Sequence, residues 1–330
     1  MINNIKVIGL GALNIDHLYR VERIAENGES MVKNIESFPG GSAANTIYGL
    51  AKLGVKTGFV GTIGDDAEGK VLLSDFEKVG VDTSQIRIKP GARTGSVLCL
   101  SDSMGKRSLY VLPGANSMLN MNDVDIGYLN RASVLHLSSF VNDRQFTISR
   151  DMIDKLESTV RLSFAPGMLY TTRGLDALAP ILRKTHVLFT NHDEIRQLTE
   201  KDVKAGAETC LRQGCQIVVV TLGRGLRMEM KEEGSHRIAV AACYIIDSEN
   251  EYLIESPDEE IESEIETTGA GDTFTAGFLY GLLKGKAPDE CGRLGDILAQ
   301  FSITKAGARP GLPTLEQLSR RYRELYNREL

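Results

Sequence analysis

The chain has 330 residues, of which 42% are hydrophobic and 25% are charged, and its formal net charge is −6. This composition is that of a globular protein with a sizeable core, and the negative charge argues against a general surface for nucleic acid or anionic membranes. The five cysteines lack C-x-x-C spacing, which disfavours both a disulfide framework and a zinc site. We therefore predict one large domain over 1–330, a cytoplasmic protein with reduced thiols, and no signal peptide or membrane span.

Along most of the chain, strand patterns alternate with helix patterns that end at a glycine. This alternation is typical of βα units that build a parallel sheet. Helices are predicted over 42–53, 66–79, 144–156, 203–212 and 275–283. Buried strands are predicted over 56–63, 133–138, 160–164, 186–190 and 216–221. Together these elements predict a three-layer α/β sandwich.

Two stretches, 13–38 and 93–112, depart from this pattern, because apolar and polar residues alternate in them without helical spacing. The second stretch predicts a hairpin with its turn at 102–105. Exposed hairpin edges invite pairing with another strand, so a homodimer through these segments is expected. The acidic stretch 247–266 is interpreted as a solvated loop or an edge strand.

A glycine-rich string at 266–274, ETTGAGDTF, runs directly into a helical pattern. Small residues let the backbone N–H groups of Gly269, Ala270 and Gly271 turn toward one point, and the helix adds the positive end of its dipole. Asp272 lies beside this anion hole, where a carboxylate suits proton abstraction from a hydroxyl that attacks a phosphate. We expect Gly271 to carry a positive φ in this turn. The alternative is a glycine-punctuated loop in which Asp272 only caps the helix.

A second string, PGGSAANT at 39–46, opens the helix predicted from residue 42. The adjacent glycines Gly40 and Gly41 let the backbone approach a ligand closely, and Asn45 on the first helical turn can point into the same cleft. The alternative is a plain helix start that is capped by Ser42.

The two strings, in this order, resemble the N-terminal and C-terminal signatures of the ribokinase (PfkB) family of carbohydrate and nucleoside kinases. The resemblance covers nearly the whole chain. It implies a ribokinase-like three-layer α/β/α sandwich with a mostly parallel central sheet and a small β-sheet lid formed by 13–38 and 93–112. It also implies an ATP-dependent kinase that requires Mg²⁺ and phosphorylates a hydroxymethyl oxygen. Asp272 would take the proton, and the amide groups of 269–271 would stabilise the transferring charge.

The same resemblance implies a set of binding residues. The acceptor would be held by Asn14, Asp16, Gly40, Gly41 and Asn45. ATP would be bound by Asn191, Thr221, Gly223, Gly225 and Thr268. Glu194 would arrange Mg²⁺ through water, and a monovalent cation such as K⁺ would lie among Glu266, Thr268, Ser302, Lys305, Gly307 and Gly311. Three of these segments have a simpler alternative: an Asx turn at 14–16, a helix capping pair at 191–194 and a tight turn at 221–225.

Departures from ribokinase leave the acceptor open, because Ser42 and Ser138 stand where ribokinase carries Lys and Glu. We predict a PfkB-type sugar kinase, with a ribonucleoside kinase of the same family and a non-catalytic nucleotide-binding protein as alternatives. A Rossmann dehydrogenase is disfavoured, because the G-x-G-x-x-G pattern that begins at Gly9 has Asn14 where its third glycine should be.

Overall fold

The computed structural model describes residues 5–25, 27–102, 104, 107–223, 227–232, 235–255 and 267–330, with the backbone alone described over 227–232 and 235–239. Gly105, Gly225 and Glu266, which carry predictions above, lie outside the described residues. The strands are β1 Val7–Leu10, β2 Asn14–Val21, β3 Val32–Gly40, β4 Thr57–Gly64, β5 Asp82–Lys89, β6 Gly95–Ser101, β7 Arg107–Leu112, β8 Val134–Ser138, β9 Arg161–Ala165, β10 Thr185–Asn191, β11 Ile217–Thr221, β12 Arg227–Glu232, β13 Ser235–Asp247 and β14 Glu251–Glu255. The helices are α1 Ser42–Lys52, α2 Ala67–Lys78, α3 Ile126–Leu129, α4 Asp143–Ile153, α5 Gly167–Thr171, α6 Leu175–Leu182, α7 His192–Thr199, α8 Val203–Arg212, α9 Ala270–Leu283, α10 Pro288–Ser302 and α11 Leu315–Tyr326.

The main sheet has the strand order β12-β13-β11-β10-β9-β8-β1-β4-β5, and β14 pairs with β13. Neighbours from β11 to β5 are parallel, whereas β13 pairs antiparallel with β11, β12 and β14. Parallel strands that are covered on both faces are continuous apolar runs, and β1, β4 and β8 are buried along their whole length. This sheet confirms the predicted α/β sandwich, and the described part of the acidic stretch contains the edge strand β14.

Two hydrophobic cores lie on the two faces of the main sheet. One holds residues from α4 to α8, such as Met152 and Ile181, and the other holds residues from α1, α2, α9, α10 and α11, such as Ile47 and Phe278. Helices therefore cover both faces, which is the three-layer arrangement that the alternating pattern predicts.

The second sheet has the order β3-β2-β6-β7. The hairpin of β6 and β7 is antiparallel, with Ser96 opposite Leu112, which confirms the predicted hairpin. β2 pairs antiparallel with β3 and parallel with β6, so the stretches 13–38 and 93–112, which lack the βα pattern, form one sheet. We call it the lid sheet.

The strand order of the main sheet reverses at β1. The strands β4 and β5 lie on one side of β1, and the later strands from β8 onward lie on the other. In open parallel sheets, ligands bind outside the carboxyl ends of the strands at such a switch point. The lid sheet and the start of α1 follow β1 in the chain, so the fold places them at this edge. None of the helices in the described part of the chain is long and apolar enough to cross a membrane.

Candidate active site

A cavity of about 200 Å³ lies between the lid sheet and the N-terminus of α9, and we call it the lid pocket. Its polar lining comes from Asn14, Asp16, Gly41, Ser42, Asn45, Thr268 and Asp272. Its apolar lining comes from the lid strands: Leu18, Phe38, Val97, Cys99, Leu109 and Val111, with Gly307 beside Phe38. The lid pocket thus brings together four of the five residues that the sequence assigns to the acceptor.

A second cavity, of about 460 Å³, lies at the carboxyl ends of β10 and β11, and we call it the strand-edge pocket. It is lined by Asn191, His192, Asp193, Thr221, Gly223, Ala242, Thr267, Ala270, Gly271, Phe274, Asp296, Ala299, Gln300 and Ile303. Three residues that the sequence assigns to ATP, Asn191, Thr221 and Gly223, therefore share one pocket. Thr268 lies on the other side of the turn, in the lid pocket.

Asp272 lies in the first turn of α9, and residues of this turn line both pockets. Its Oδ1 accepts a hydrogen bond from Ser42 Oγ at 2.7 Å, and its Oδ2 accepts one from Asn45 Nδ2 at 2.9 Å. Burial raises the pKa of this carboxyl to about 6, although the two hydrogen bonds and the charge of Arg309 act in the opposite direction. A carboxylate with a pKa near neutrality is suited to act as a general base.

The turn before α9 differs from the sequence prediction by two positions. Gly269 is the N-cap of α9 and has a φ of 80°, whereas Gly271 lies within the helix. The prediction of a positive φ at Gly271 is therefore wrong, because the helix begins at Ala270, five residues before its predicted start at residue 275, and Gly271 takes a helical conformation. The Ala270 N–H donates to the Thr267 carbonyl at 3.2 Å. The amides of Gly271 and Asp272 belong to the first helical turn, which has no intrahelical acceptor for them.

The start of α1 is shaped by close backbone contacts. Gly41 is the N-cap at a φ of 98°, and a Cβ there would lie 2.2 Å from the Ala12 carbonyl oxygen. A Cβ at Gly40 would lie 2.2 Å from Asp16 Oδ2, so the Asp16 carboxylate lies directly against this backbone. A side chain at either position would clash with these oxygen atoms, so both positions require glycine. Gly41 also lines the lid pocket.

Asn14 is buried and oriented by another amide. Asn116 Nδ2 donates to Asn14 Oδ1 at 2.9 Å, and Asn116 also binds the backbone of Leu13 through Oδ1 and Nδ2. Because its oxygen already has a donor, the Asn14 NH₂ is the group that remains to face a ligand in the lid pocket.

Asn191 and Glu194 form the predicted capping box at the start of α7. Asn191 Oδ1 accepts from the Glu194 backbone N–H at 2.8 Å, and Glu194 Oε2 accepts from the Asn191 backbone N–H at 3.0 Å. Burial raises the pKa of Glu194, and the negative charges of Asp272 and Asp193 raise it further. Among the described residues, no cluster of three or more His, Cys, Asp and Glu side chains could hold a metal ion.

The described members of the predicted monovalent-cation set do not lie in one cavity. Thr268 and Gly307 line the lid pocket, and a Cβ at Gly307 would lie 2.7 Å from the Phe38 ring. Ser302 is buried, and its Oγ donates to the Ala299 carbonyl at 2.8 Å. Gly311 packs against the backbone at 301–302, and Lys305 is exposed.

Several groups of this site have no counterpart among the predicted residues. Ser42, considered above as a helix cap and as a departure from the Lys of ribokinase, binds Asp272, and Thr46 Oγ1 donates to the Asp272 carbonyl at 3.0 Å. From the lid sheet, Arg107 donates to Thr267 Oγ1 at 3.1 Å and to Thr268. Ser42 and Thr46 recur at i and i+4 on α1 together with Asn45, so helical spacing from Asn45 is a signal that could have identified them.

Comparisons with known proteins show which family the chain resembles. The family model described as "pfkB family carbohydrate kinase" matches residues 4–226 and 237–315. An Archaeoglobus fulgidus protein described as an uncharacterized sugar kinase is 37% identical over 272 residues, which cover 80% of this chain and 98% of that protein.

Two solved structures show a shared fold. Arabidopsis thaliana ribokinase, complexed with ribose and ATP, has a TM-score of 0.79 and 23% identity, with 95% of this chain and 97% of that chain covered. A Burkholderia thailandensis nucleoside kinase in complex with inosine has a TM-score of 0.79 and 19% identity, with 98% and 100% covered. With the family match over most of its length, the chain belongs to the pfkB family of carbohydrate kinases and is a phosphotransferase with an alcohol group as acceptor.

Proposed function

We propose that the chain is an ATP-dependent kinase that transfers the γ-phosphoryl group to a hydroxymethyl oxygen of a sugar. The observation that carries this proposal is the position of Asp272 between the two pockets. Its carboxylate lines the lid pocket, and Ala270 and Gly271 of the same helical turn line the strand-edge pocket. A hydroxyl in the lid pocket and a phosphate in the strand-edge pocket would meet across this turn.

In this mechanism Asp272 accepts the proton of the acceptor hydroxyl while the hydroxyl oxygen bonds to the γ-phosphorus and the bond to ADP breaks. A pKa of about 6 leaves the carboxylate mostly ionised at neutral pH and still basic enough to take a proton. Ser42 and Asn45 both donate to this carboxylate and so favour its ionised form. The amides of the first turn and the helix dipole favour the negative charge of the migrating phosphoryl group.

Mg²⁺ and a monovalent cation remain part of the proposal. Mg²⁺ commonly binds one or two carboxylates together with water and substrate phosphates, and it neutralises phosphate charge. Glu194 is a partly buried carboxylate that binds the backbone of the strand-edge pocket residue Asn191, which fits this mode of binding. For K⁺, the described members of the predicted set offer the hydroxyl oxygens of Thr268 and Ser302 as side-chain ligands.

A second candidate acceptor is a ribonucleoside of the adenosine, cytidine or inosine type. It is favoured by the apolar part of the lid pocket, where six side chains of the lid strands face the polar groups around Asp272. A free sugar presents hydroxyl groups on most of its surface, whereas a nucleoside presents a flat base that can pack against such side chains.

A coupled assay of ADP release, run over a panel of sugars and nucleosides, tests the function and separates the two acceptor classes. We expect ADP release above the rate without acceptor for at least one compound. If the acceptor is a nucleoside, Phe38→Ala should raise its KM because the variant loses apolar contact with the base. Met168→Ala, on α5 and outside both pockets, is the matched control. A protein that binds ATP and releases no ADP with any acceptor would support the non-catalytic alternative.

We also propose that the lid sheet pairs two copies of the chain. Leu109 and Val111 line the lid pocket, so the alternation of β7 directs Tyr110 and Leu112 to the opposite face. Tyr110 and Leu112 are 55% and 56% exposed, and Ile35 of β3 is 56% exposed. Exposed apolar groups on the two edge strands of a sheet, here β3 and β7, are typical of a surface that becomes covered.

Sedimentation velocity tests this pairing. We expect the wild-type protein to sediment as a dimer and Leu112→Lys to sediment as a monomer, because a charge at the interface opposes burial. Met168→Lys is the matched control, since Met168 is 47% exposed on α5, a helix that packs against α6 and α7. A monomeric wild-type protein at high micromolar concentration would contradict the proposal.

A further inference from the structure

A buried arginine lies behind the lid pocket, in the loop between α10 and α11. The Arg309 side chain is 3% exposed, and its guanidinium carbon lies 5.1 Å from the centre of the Tyr48 ring and 5.2 Å from that of Phe76. Its Nη1 donates to Asp75 Oδ2 of α2 at 2.7 Å. A buried cation requires such a partner. The other hydrogen bonds of the guanidinium extend toward the active site.

The first of these hydrogen bonds determines how Asn45 faces Asp272. Arg309 Nε donates to Asn45 Oδ1 at 3.0 Å, and Asn45 Nδ2 donates to Asp272 Oδ2 at 2.9 Å. A guanidinium has only donors and an ionised carboxylate has only acceptors. If the amide were reversed, its NH₂ would face the guanidinium and its oxygen would face the carboxylate, and both contacts would be repulsive. Arg309 therefore selects the orientation in which Asn45 donates to Asp272.

The second hydrogen bond holds the backbone that leads into α1. Arg309 Nη2 donates to the Gly40 carbonyl at 3.2 Å. Two residues later, Ser42 Oγ donates to Asp272 Oδ1 at 2.7 Å. One guanidinium thus supports both side chains that donate to the Asp272 carboxylate: Asn45 directly and Ser42 through the turn at Gly40.

We propose that Arg309 is a positioning residue of the phosphoryl-transfer site, which holds Asn45 and the start of α1 so that both donors keep their orientation toward Asp272. Asp75 anchors the guanidinium from the far side. The inference rests on the proposed function of Asp272 as the base. Among the described residues that line the two pockets, Arg309 is absent, so it acts through its neighbours and not on the substrate.

The proposal has an electrostatic consequence with a defined sign. Loss of Arg309 removes a cation and frees the Asn45 amide to turn, so the pKa of Asp272 should rise. Loss of the Asp75 charge removes an anion while the guanidinium stays, so that pKa should fall. In the described part of the chain, the other charged groups near the carboxylate include Asp16 of β2, Glu194 of α7 and Arg107 of β7, and both variants leave them in place.

A ¹³C NMR titration of the Asp272 carboxyl carbon in the unliganded protein tests this consequence without any need for turnover. The signal is assigned by its absence in Asp272→Asn. From a wild-type pKa of about 6, we expect an upward shift in Arg309→Gln and a downward shift in Asp75→Asn. Arg309→Lys keeps the cation but cannot bind Asn45, Asp75 and Gly40 together, so its upward shift should be smaller. An unchanged or lower pKa in folded Arg309→Gln, or a higher one in Asp75→Asn, would overturn the proposal.

Kinetics supply the second readout. We expect folded Arg309→Gln to lose kcat by roughly ten-fold, with little change in the acceptor KM and with the acid limb of the rate profile moved to higher pH. An arginine that only stabilises the fold would lower the melting temperature and leave kcat and the acid limb unchanged, which would also overturn the proposal. A wild-type protein without turnover would contradict the proposed function, and the NMR titration would still decide the role of Arg309.

Discussion

Replacement of Asp272 by Asn is expected to lower kcat by roughly 10²–10⁴-fold while the affinity for ATP changes little. The carboxylate faces the lid pocket and is held by Ser42 and Asn45, so it is placed to take a proton from the acceptor. An amide of the same shape cannot take that proton. The measurement is steady-state kinetics with the best acceptor, combined with ATP titration by calorimetry.

The Asp272→Asn protein should be folded. Burial raises the pKa of Asp272 from its ordinary value of 3.8 to about 6, so the ionised carboxylate lowers folding stability as the pH rises through that window. The neutral amide does not carry this cost, and at neutral pH the variant should be at least as stable as the wild type. A matched control is Asp176→Asn, which removes an exposed first-turn carboxylate from α6, a helix that also follows a glycine N-cap. Near wild-type turnover of Asp272→Asn would exclude Asp272 as the base.

Replacement of Gly269 by Val is expected to lower kcat by on the order of 10²–10³-fold, the loss that accompanies a displaced oxyanion donor. Gly269 has a φ of 80°, which a β-branched residue does not readily adopt, and a Cβ there would lie 2.2 Å from the Ala308 Cβ. The start of α9 must therefore shift, and its amide groups shift with it. Acceptor affinity should change less, since Asn14 and Asp16 lie on β2.

The Gly269 prediction has both a control and a milder form. Gly271→Ala keeps a helical backbone, and a Cβ at Gly271 meets no heavy atom of the described residues within 4 Å, so its stability should match the wild type. Any effect should be confined to the ATP KM, because Gly271 lines the strand-edge pocket. If Gly269→Val does not fold, Gly269→Ala combined with Ala308→Gly removes the steric clash and keeps the strained φ. Full activity in a folded Gly269 variant would show that the phosphoryl group is stabilised elsewhere.

The parts of the fold that follow from local patterns are predictable from the sequence. Helix α8 was predicted over 203–212 and lies at Val203–Arg212, and the predicted hairpin at 93–112 is present as β6 and β7. Both depend on the spacing of apolar residues over a short stretch, which one sequence contains. The parallel pairing of β2 with β6 joins distant segments, so local alternation cannot predict it.

The same limit applies to the candidate active site. Small residues beside Asp272 predict a turn and an anion site, but the exact helix start decides that Gly269 and not Gly271 carries the positive φ. Arg309 is 234 residues from Asp75 and 264 residues from Asn45 in the chain. Its surroundings exist only after the fold brings α1, α2 and the loop after α10 together. Arg309 lies within 302–311, the segment assigned above to a monovalent cation, but that assignment gives it no role toward Asp272.

The pH dependence of kcat/KM for the acceptor tests most directly whether Asp272 is the base between the two pockets. This parameter reports the ionisation of the free enzyme. We expect the wild-type rate to fall at acidic pH with an apparent pKa of about 6, the value of Asp272, and we expect the residual rate of Asp272→Asn to lack this limb. An acceptor-dependent rate that stays level from about pH 5 to about pH 8, or an acid limb that persists in Asp272→Asn, would contradict this assignment.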